Sequence, residues 1–321
     1  MRVTQGMITN TFNRDLNYNL RRLARYQHQL AMEKRISRPS DDPVAIVHSL
    51  RLRTDLADIA TYTENADHAL SWLGSTEDAL LHAGDILHRA GELAITGANS
   101  SNPKDALNAI ADEVDELLES LIQIANSAQA GQYLFAGTKT RVPFADESEE
   151  YYLPFELIVD DDDGKYVRYN GNDEDRETEI GDRINFAYNV TGSAAFDMQK
   201  TGDDEEDVWA SKVFDSLIHL SQNLRAGDTD AISTTSIKEL DEALDYLVAQ
   251  RTEVGAKVNR LEMTKSRLGS AKINFTNLLS KTEDLDIAET IIHLKAQENV
   301  YRAALATGAR IMQPSLVDFL R

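Results

Sequence analysis

The residues best equipped for chemistry are an acidic run, Asp160-Asp161-Asp162-Asp163-Gly164, and seven histidines. Carboxylates closed by a glycine suggest a calcium loop, which needs a carboxylate at position one, glycine at six and a bidentate glutamate at twelve. Setting Gly164 at position six puts Val159 at one and Asn170 at twelve, so both ends of the loop lack their ligand. The run reads instead as the solvated tip of a hairpin. His28, His48, His68, His82, His88, His219 and His293 form no HExxH pair or other ligand spacing, and His82 and His88 do not share a helix face. Cysteine is absent, which removes disulfides, thiolate nucleophiles and cysteine metal sites. No GxSxG, phosphate loop or dinucleotide fingerprint occurs. The expectation is a protein that is not an enzyme, with no metal and no cofactor.

Composition narrows the class further. The chain has 321 residues, 42% hydrophobic but only 7% aromatic, and a formal charge of −21. Such an acidic surface argues against nucleic acid, whose phosphates need clustered Lys and Arg. No apolar run reaches the length of about 18 residues that a membrane span requires, so membrane insertion is not expected. The first thirty residues lack a compact apolar segment and a small-residue cleavage site. No cleavable secretory signal is expected, and export would take another route.

The elements that could position a functional surface lie at the chain ends. Ile287 to Leu305 reads as a helix with an apolar seam of Ile287, Ile291, Leu294, Tyr301, Leu305 and Met312, interrupted by Glu298 and Gly308. Such a seam needs a partner helix. Residues 1–36 supply a candidate, with Ile8, Phe12, Leu16, Leu20, Leu23 and Leu30 on one side and Arg14, Arg21, Arg22, Arg25, Lys34 and Arg35 elsewhere. An ordinary surface helix and a coiled-coil strand both fit that pattern. Asn13, Asn17 and Asn19 weaken a membrane-surface reading. At the other end, Leu316, Val317, Phe319 and Leu320 form an apolar tail after Pro314, either docked or held for an assembly contact.

Between the ends, Pro39, Asp42 and Pro43 mark a hinge, with Asp42 as helix cap and Pro43 at the first helical position. A three–four apolar alternation then runs from Leu52 through Leu73, Leu80 and Leu87 to Ala94. Gly97 to Pro103 is a turn, with Asn102 as the expected cap of the next helix, which carries Leu107, Val114 and Leu121. The short connection makes the two helices antiparallel. Helical periodicity is lost from about Thr138 to Val208, where 153–159, 165–169, 179–182 and 184–190 read as strands. It returns with Phe214, Leu217, Leu220 and Leu224, then with a long seam from Ile237 to Leu279, broken near 281–286. The predicted fold is mainly α with a β insertion: a long antiparallel bundle from both chain halves, a terminal coiled coil and a small β domain in the middle. The expected domains are 1–42 with 281–321, 43–137 with 208–280, and 138–207.

Four stretches carry a resemblance to a known family: Met1-Arg2-Val3-Thr4-Gln5 with Asn10 and Leu16-Asn17-Tyr18-Asn19-Leu20; Arg38-Pro39-Ser40-Asp41-Asp42-Pro43-Val44; Gly131-Gln132-Tyr133-Leu134-Phe135-Ala136-Gly137-Thr138; and Gln313-Pro314-Ser315-Leu316-Val317-Asp318-Phe319-Leu320. Together they resemble the flagellin superfamily, and most closely its hook-associated protein 3 branch. The resemblance covers about 1–140 and 208–321. It implies a structural component of the bacterial flagellum that joins hook to filament and assembles as a layer through its terminal helices. The implied partners are further copies of itself, hook-associated protein 1, flagellin and a cytoplasmic export chaperone. The implied location is the extracellular flagellum, reached by the flagellar type III apparatus. A flagellin-type filament subunit is the alternative on the same fold. A hydrolase in the β insertion and an unrelated coiled-coil adaptor are more distant readings. The terminal helices are expected to be mobile in a free monomer and to order on assembly.

Overall fold

The computed structural model describes residues 5–140, 153–160, 164–201 and 208–311. The helices are α1 (Gln5–Met32), α2 (Pro43–Gly97), α3 (Lys104–Ala125), α4 (Gly192–Phe196), α5 (Lys212–Ala226), the single turn α6 (Thr229–Ala231), α7 (Ile237–Glu283) and α8 (Ile287–Ile311). The strands are β1 (Ala128–Gln129), β2 (Gln132–Tyr133), β3 (Phe155–Asp160), β4 (Gly164–Tyr169), β5 (Glu177–Gly181), β6 (Ile184–Ala187), β7 (Met198–Thr201) and β8 (Val208–Ser211). The mainly α fold with a β insertion is the one expected. Among the described residues no helix is long and apolar enough to cross a membrane. The chain divides into two compact units, residues 1–59 with 269–321 and residues 60–268.

In the unit of residues 60–268, α2 is covered on more than the expected stripe. Ala66, Leu73, Leu80, Leu87 and Ala94 are buried as the alternation requires. So are Ala69, Trp72, Ala79, Ala83, Ile86, Ala90 and Leu93, one position removed. A helix in a bundle faces several neighbours, and the alanines on the added stripe let those neighbours approach closely. Leu107, Val114, Leu118 and Leu121 of α3, Phe214, Leu217, Leu220 and Leu224 of α5, and Leu240, Leu247, Val254 and Leu261 of α7 complete the same core. The α7 residues fall every seven positions, the repeat of a straight apolar seam. Asn102 does not cap α3. Its side-chain amide donates to the Thr96 carbonyl at 2.7 Å, closing the end of α2, and Pro103 opens α3 without a side-chain cap.

Among the described residues, the middle of the chain folds into four antiparallel strand pairs, β1–β2, β3–β4, β5–β6 and β7–β8. The first is a tight hairpin whose two turn residues, Ala130 and Gly131, both take positive φ (51° and 77°). The β3–β4 pair sets Phe155 opposite Tyr169 and Leu157 opposite Val167. The sequence pattern did not reveal α4 or the β7–β8 pair, because each is too short to establish a period. The strand pairs share the helices' core. Phe155 lies 5.2 Å from Phe196 and 5.7 Å from Phe214 between ring centroids, and Phe135 lies 5.3 Å from Phe196. Offset and edge contacts of this kind add to simple burial. The Asn126 amide pairs with both backbone groups of Phe155, at 2.8 and 2.9 Å, and so fastens the end of α3 to β3. The Tyr169 hydroxyl donates to the Phe135 carbonyl at 2.9 Å and accepts from the Gly192 amide at 3.2 Å.

Gly192 sits where any Cβ would overlap Tyr169, Phe155 and the Phe135 carbonyl. Gly192→Ala therefore forces this aromatic cluster apart. We expect it to destabilise the 60–268 unit by about 1–3 kcal/mol, the usual cost of overpacking. Denaturant melts followed by aromatic circular dichroism read the effect.

Candidate assembly interface

The terminal unit is built from α1, α8, the connection between α1 and α2, and the adjoining ends of α2 and α7. Helices α1 and α8 run antiparallel. Phe12 lies against Gly308, Asn19 accepts from the Gln297 amide at 3.0 Å, and the Tyr26 ring stacks on His293 at 5.9 Å. The half-buried residues of α1 include Thr9, Phe12, Leu16, Asn19, Leu23, Tyr26 and Leu30, at alternating steps of three and four, with Gln29 beside the last. The covered residues of α8 repeat in the same way: Thr290, Leu294, Gln297, Tyr301, Ala304 and Gly308. Both stripes have coiled-coil spacing.

Their composition is unusual for that geometry. The expected α8 seam shares Leu294, Tyr301 and Gly308 with the stripe that is covered, and the half-covered Glu298 lies beside Gln297. Ile287, Ile291 and Leu305 are exposed on its flank, at 48%, 44% and 44%. Thr290, Gln297 and Ala304 take the intervening seam positions. On α1, Leu20 is 46% exposed and Asn19 holds its place. The physical reason lies in two local fits. Gly308 accepts the Phe12 ring, where a Cβ would overlap it, and Gln297 pairs with Asn19. Those contacts fix the rotation of α8 about its axis and turn its larger apolar side chains outward. Met312, Leu316, Phe319 and Leu320 lie outside the described residues, as does the Ile8 side chain.

The same outward bias holds throughout the unit. Its only buried hydrophobic side chains among those described are Ile36 and Ile59. Its exposed large ones include Met7, Leu20, Val44, Val47, Leu50, Ile273, Ile287, Ile291, Ile292, Val300 and Leu305. Most of the unit's large apolar side chains are thus left in solvent, which makes it the candidate region for an interaction surface.

A polar cluster at the end of α7 binds three chain segments together. Glu283 is buried. One carboxylate oxygen accepts from Ser49 Oγ at 3.0 Å and from Arg53 at 2.5 Å, and the other accepts from Lys34 at 3.3 Å. Its carbonyl accepts from the Arg35 amide at 2.8 Å, and the Leu285 amide donates to the Glu33 carbonyl at 3.2 Å. Arg35 also donates to the Thr282 carbonyl at 2.9 Å. The end of α1, the start of α2 and the α7–α8 turn are thus joined through one side chain and a short backbone ladder. In the α1–α2 connection, Asp41 accepts from the Arg38 amide at 3.1 Å, and Asp42 caps α2 through the Val44 and Ala45 amides at 3.1 and 3.0 Å. Pro43 is the first residue of α2, and Pro39 is exposed. Apolar periodicity could not find Glu283. The signal available was an acidic pair, Glu283-Asp284, at the break between two helices, matched by the basic pair Lys34-Arg35 at the end of another.

Burial pushes the Glu283 carboxyl up, but hydrogen bonds from Arg53, Ser49 and Lys34 outweigh it and hold the group below the usual carboxylate range. A carboxylate with a depressed folded pKa stabilises above its unfolded pKa and loses that contribution as pH falls through the folded one. The cluster is therefore intact at neutral pH and released in acid. Glu283→Gln should cost about 1–3 kcal/mol at pH 7, the range for hydrogen bonds to a charged group. The wild-type and variant curves should converge as pH falls below the carboxylate range, measured by chemical denaturation across pH.

Comparisons with known proteins agree with this architecture. Residues 3–140 match the bacterial flagellin N-terminal helical region and residues 237–320 match the bacterial flagellin C-terminal helical region. Flagellar hook-associated protein 3 of Escherichia coli (strain K12) is 25% identical over 289 residues, covering 87% of each chain. Flagellin of Bacillus subtilis (strain 168) is 24% identical over 325 residues, covering 98% of this chain and 97% of its own. Among solved structures, flagellar hook-associated protein 3 from Legionella pneumophila superposes with a TM-score of 0.59 at 16% identity, covering 72% of this chain and 98% of that one. FlgL from Bacillus cereus superposes with a TM-score of 0.53 at 23% identity, covering 71% and 97%. The chain belongs to the bacterial flagellin superfamily of flagellar structural proteins.

Proposed function

We propose that this flagellar structural protein joins hook to filament, assembling as a layer through its terminal helices. The observation that carries the reading is the outward apolar surface of the terminal unit. Fully burying a Leu or Ile side chain is worth about 1.5–3 kcal/mol, so contact between neighbouring copies recovers what the intrachain pair leaves in water. Leu20, Ile287, Ile291 and Leu305 lie on that surface, and Phe12, Leu16, Leu23, Leu30, Leu294 and Tyr301 support it from the seam. Ile8, Met312, Leu316, Phe319 and Leu320 extend the proposed interface to both chain ends. In this reading residues 1–42 with 281–321 assemble, 43–137 with 208–280 form the helical support, and 138–207 face outward. Pro39, Asp42 and Pro43 form the hinge between the first two. The partners are further copies, hook-associated protein 1 on the hook side and flagellin on the other. A cytoplasmic chaperone holds the chain before type III export to the extracellular flagellum.

A filament subunit is the second reading, favoured by the nearly equal similarity to Bacillus subtilis flagellin. The hinge and tail sequences favour the junction. Deleting the gene separates them from a general loss of motility: hooks without filaments, with flagellin released to the medium, are expected. Normal filaments on the deletion strain, or long filaments grown from the purified chain alone, contradict a junction role. Leu20→Asp and Ile291→Asp change exposed positions, so both variants should keep the wild-type melting of the 60–268 unit yet fail to restore swimming. Leu294→Asp should fail as well and should also loosen the α1–α8 pair. Full swimming in all three would refute the assignment of this surface.

A further inference from the structure

Charge is divided unevenly between the two units. The terminal unit has sixteen Lys and Arg against twelve Asp and Glu, a formal charge of +4, whereas residues 60–268 have seventeen against forty-two, a charge of −25. Much of the positive excess sits on α1, where Arg14, Tyr18, Arg21, Arg22 and Arg25 follow one another at helical spacing on an exposed face. Intrachain partners leave this face largely unneutralised. Arg22 lies over the Tyr18 ring at 5.9 Å and reaches the Tyr26 hydroxyl at 3.5 Å, and Arg21 donates to the Asn17 carbonyl at 3.3 Å. Arg25 has only a loose contact with Asp41 at 3.9 Å. Among the described residues no carboxylate lies within ion-pair distance of Arg14, Arg21 or Arg22. Arginine interleaved with tyrosine is the composition of protein–protein hot spots, where a planar guanidinium pairs with carboxylates and an aromatic ring supplies contact area.

We propose that this Arg–Tyr face of α1 docks on the acidic 60–268 unit of a second copy of the chain. The proposal rests on assembly through the terminal unit and adds to it a polar contact with a defined direction, basic helix to acidic body. Charge complementarity selects the occupant. Two 60–268 units side by side repel each other, and placing a basic helix against that surface both relieves the repulsion and rejects registers that bring like charges together. The apolar flank of Leu20 and Ile291 supplies adhesion, and the arginines supply register and rate. Steering of this kind speeds association by roughly 10–1,000-fold at low ionic strength and is screened beyond a distance of about 8 Å at physiological salt.

The test is site-specific photo-crosslinking in cells building flagella. Benzoylphenylalanine replaces Tyr18, and a second chain with the same probe at the exposed His28 guards against local disruption. After irradiation, isolated flagella should yield a dimer-sized band whose cross-linked peptides join the probe to residues 60–268 of the other copy. Combining the probe with Arg21→Glu, Arg22→Glu and Arg25→Glu should lower the dimer yield about tenfold, because the reversed charges then face the acidic unit of the neighbour. Far-UV circular dichroism of the purified variant checks that its helices are intact. Dimers joined only through 1–59 or 269–321, adducts only with a different protein or with lipid, or an unchanged dimer yield in the triple variant overturn the proposal. Because the cross-link is read in whichever flagellar assembly the chain enters, location in the filament instead of the junction would defeat the junction reading and leave this test intact.

Discussion

A pair of helices can bury only one stripe of each, and in the terminal unit that stripe is partly taken by polar and small residues. Asn19 and Gln297 hydrogen-bond across it, and Gly308 is shaped around the Phe12 ring. Every apolar side chain that these positions displace must face outward. That constraint accounts for the exposure of Leu20, Ile287, Ile291 and Leu305, and for a unit whose described buried hydrophobics are only Ile36 and Ile59. A free-standing coiled coil would place its large side chains in the seam. This one keeps specificity in the seam and leaves adhesion on the flank, an arrangement suited to helices that are completed by neighbours.

The 60–268 unit is organised in the opposite way. Its four bundle helices share one core with the aromatic cluster of Phe135, Phe155, Phe196 and Phe214. Asn126 and Tyr169 fix the strands to the helices by hydrogen bonds to backbone groups. This body draws its apolar burial from its own residues and none of it from the terminal unit. The Glu283 cluster gives the terminal unit a polar joint although few of its hydrophobic side chains are buried, since a single buried carboxylate holds Lys34, Ser49 and Arg53 together. The chemistry here is mechanical: side chains that fix a joint and side chains left free for neighbours.

Much of this was legible in the sequence, for reasons tied to particular residues. The long helices announced themselves because Leu73, Leu80 and Leu87, or Leu240, Leu247 and Val254, repeat over many turns and are buried accordingly. Asp42-Pro43 carried a local cap signal that needs no tertiary information, and the cap is made. The β3–β4 hairpin followed from β-forming runs on either side of the acidic turn at Asp160–Gly164. What escaped notice depended on contacts distant in the chain. The rotation of α8 is set by Phe12 and Asn19, so its true seam cannot be read from 287–311 alone. Glu283 gains its meaning from Ser49 and Arg53, more than two hundred residues away. Asn102 sat at a plausible cap position but closes the preceding helix instead, a choice between two adjacent helix ends that sequence does not decide.

The central claim is that the terminal helices are stabilised mainly by neighbouring copies. Hydrogen exchange of the backbone amides of Gln5–Met32 and Ile287–Ile311, compared between the free chain and assembled flagella, tests it most directly, with Lys104–Ala125 as an internal reference. The account predicts that amides of both terminal helices exchange at least about 100-fold faster in the free chain, as expected of a low-stability segment, while the reference helix is equally protected in both states. Strong and equal protection of the terminal helices in the free chain and the assembly would contradict it.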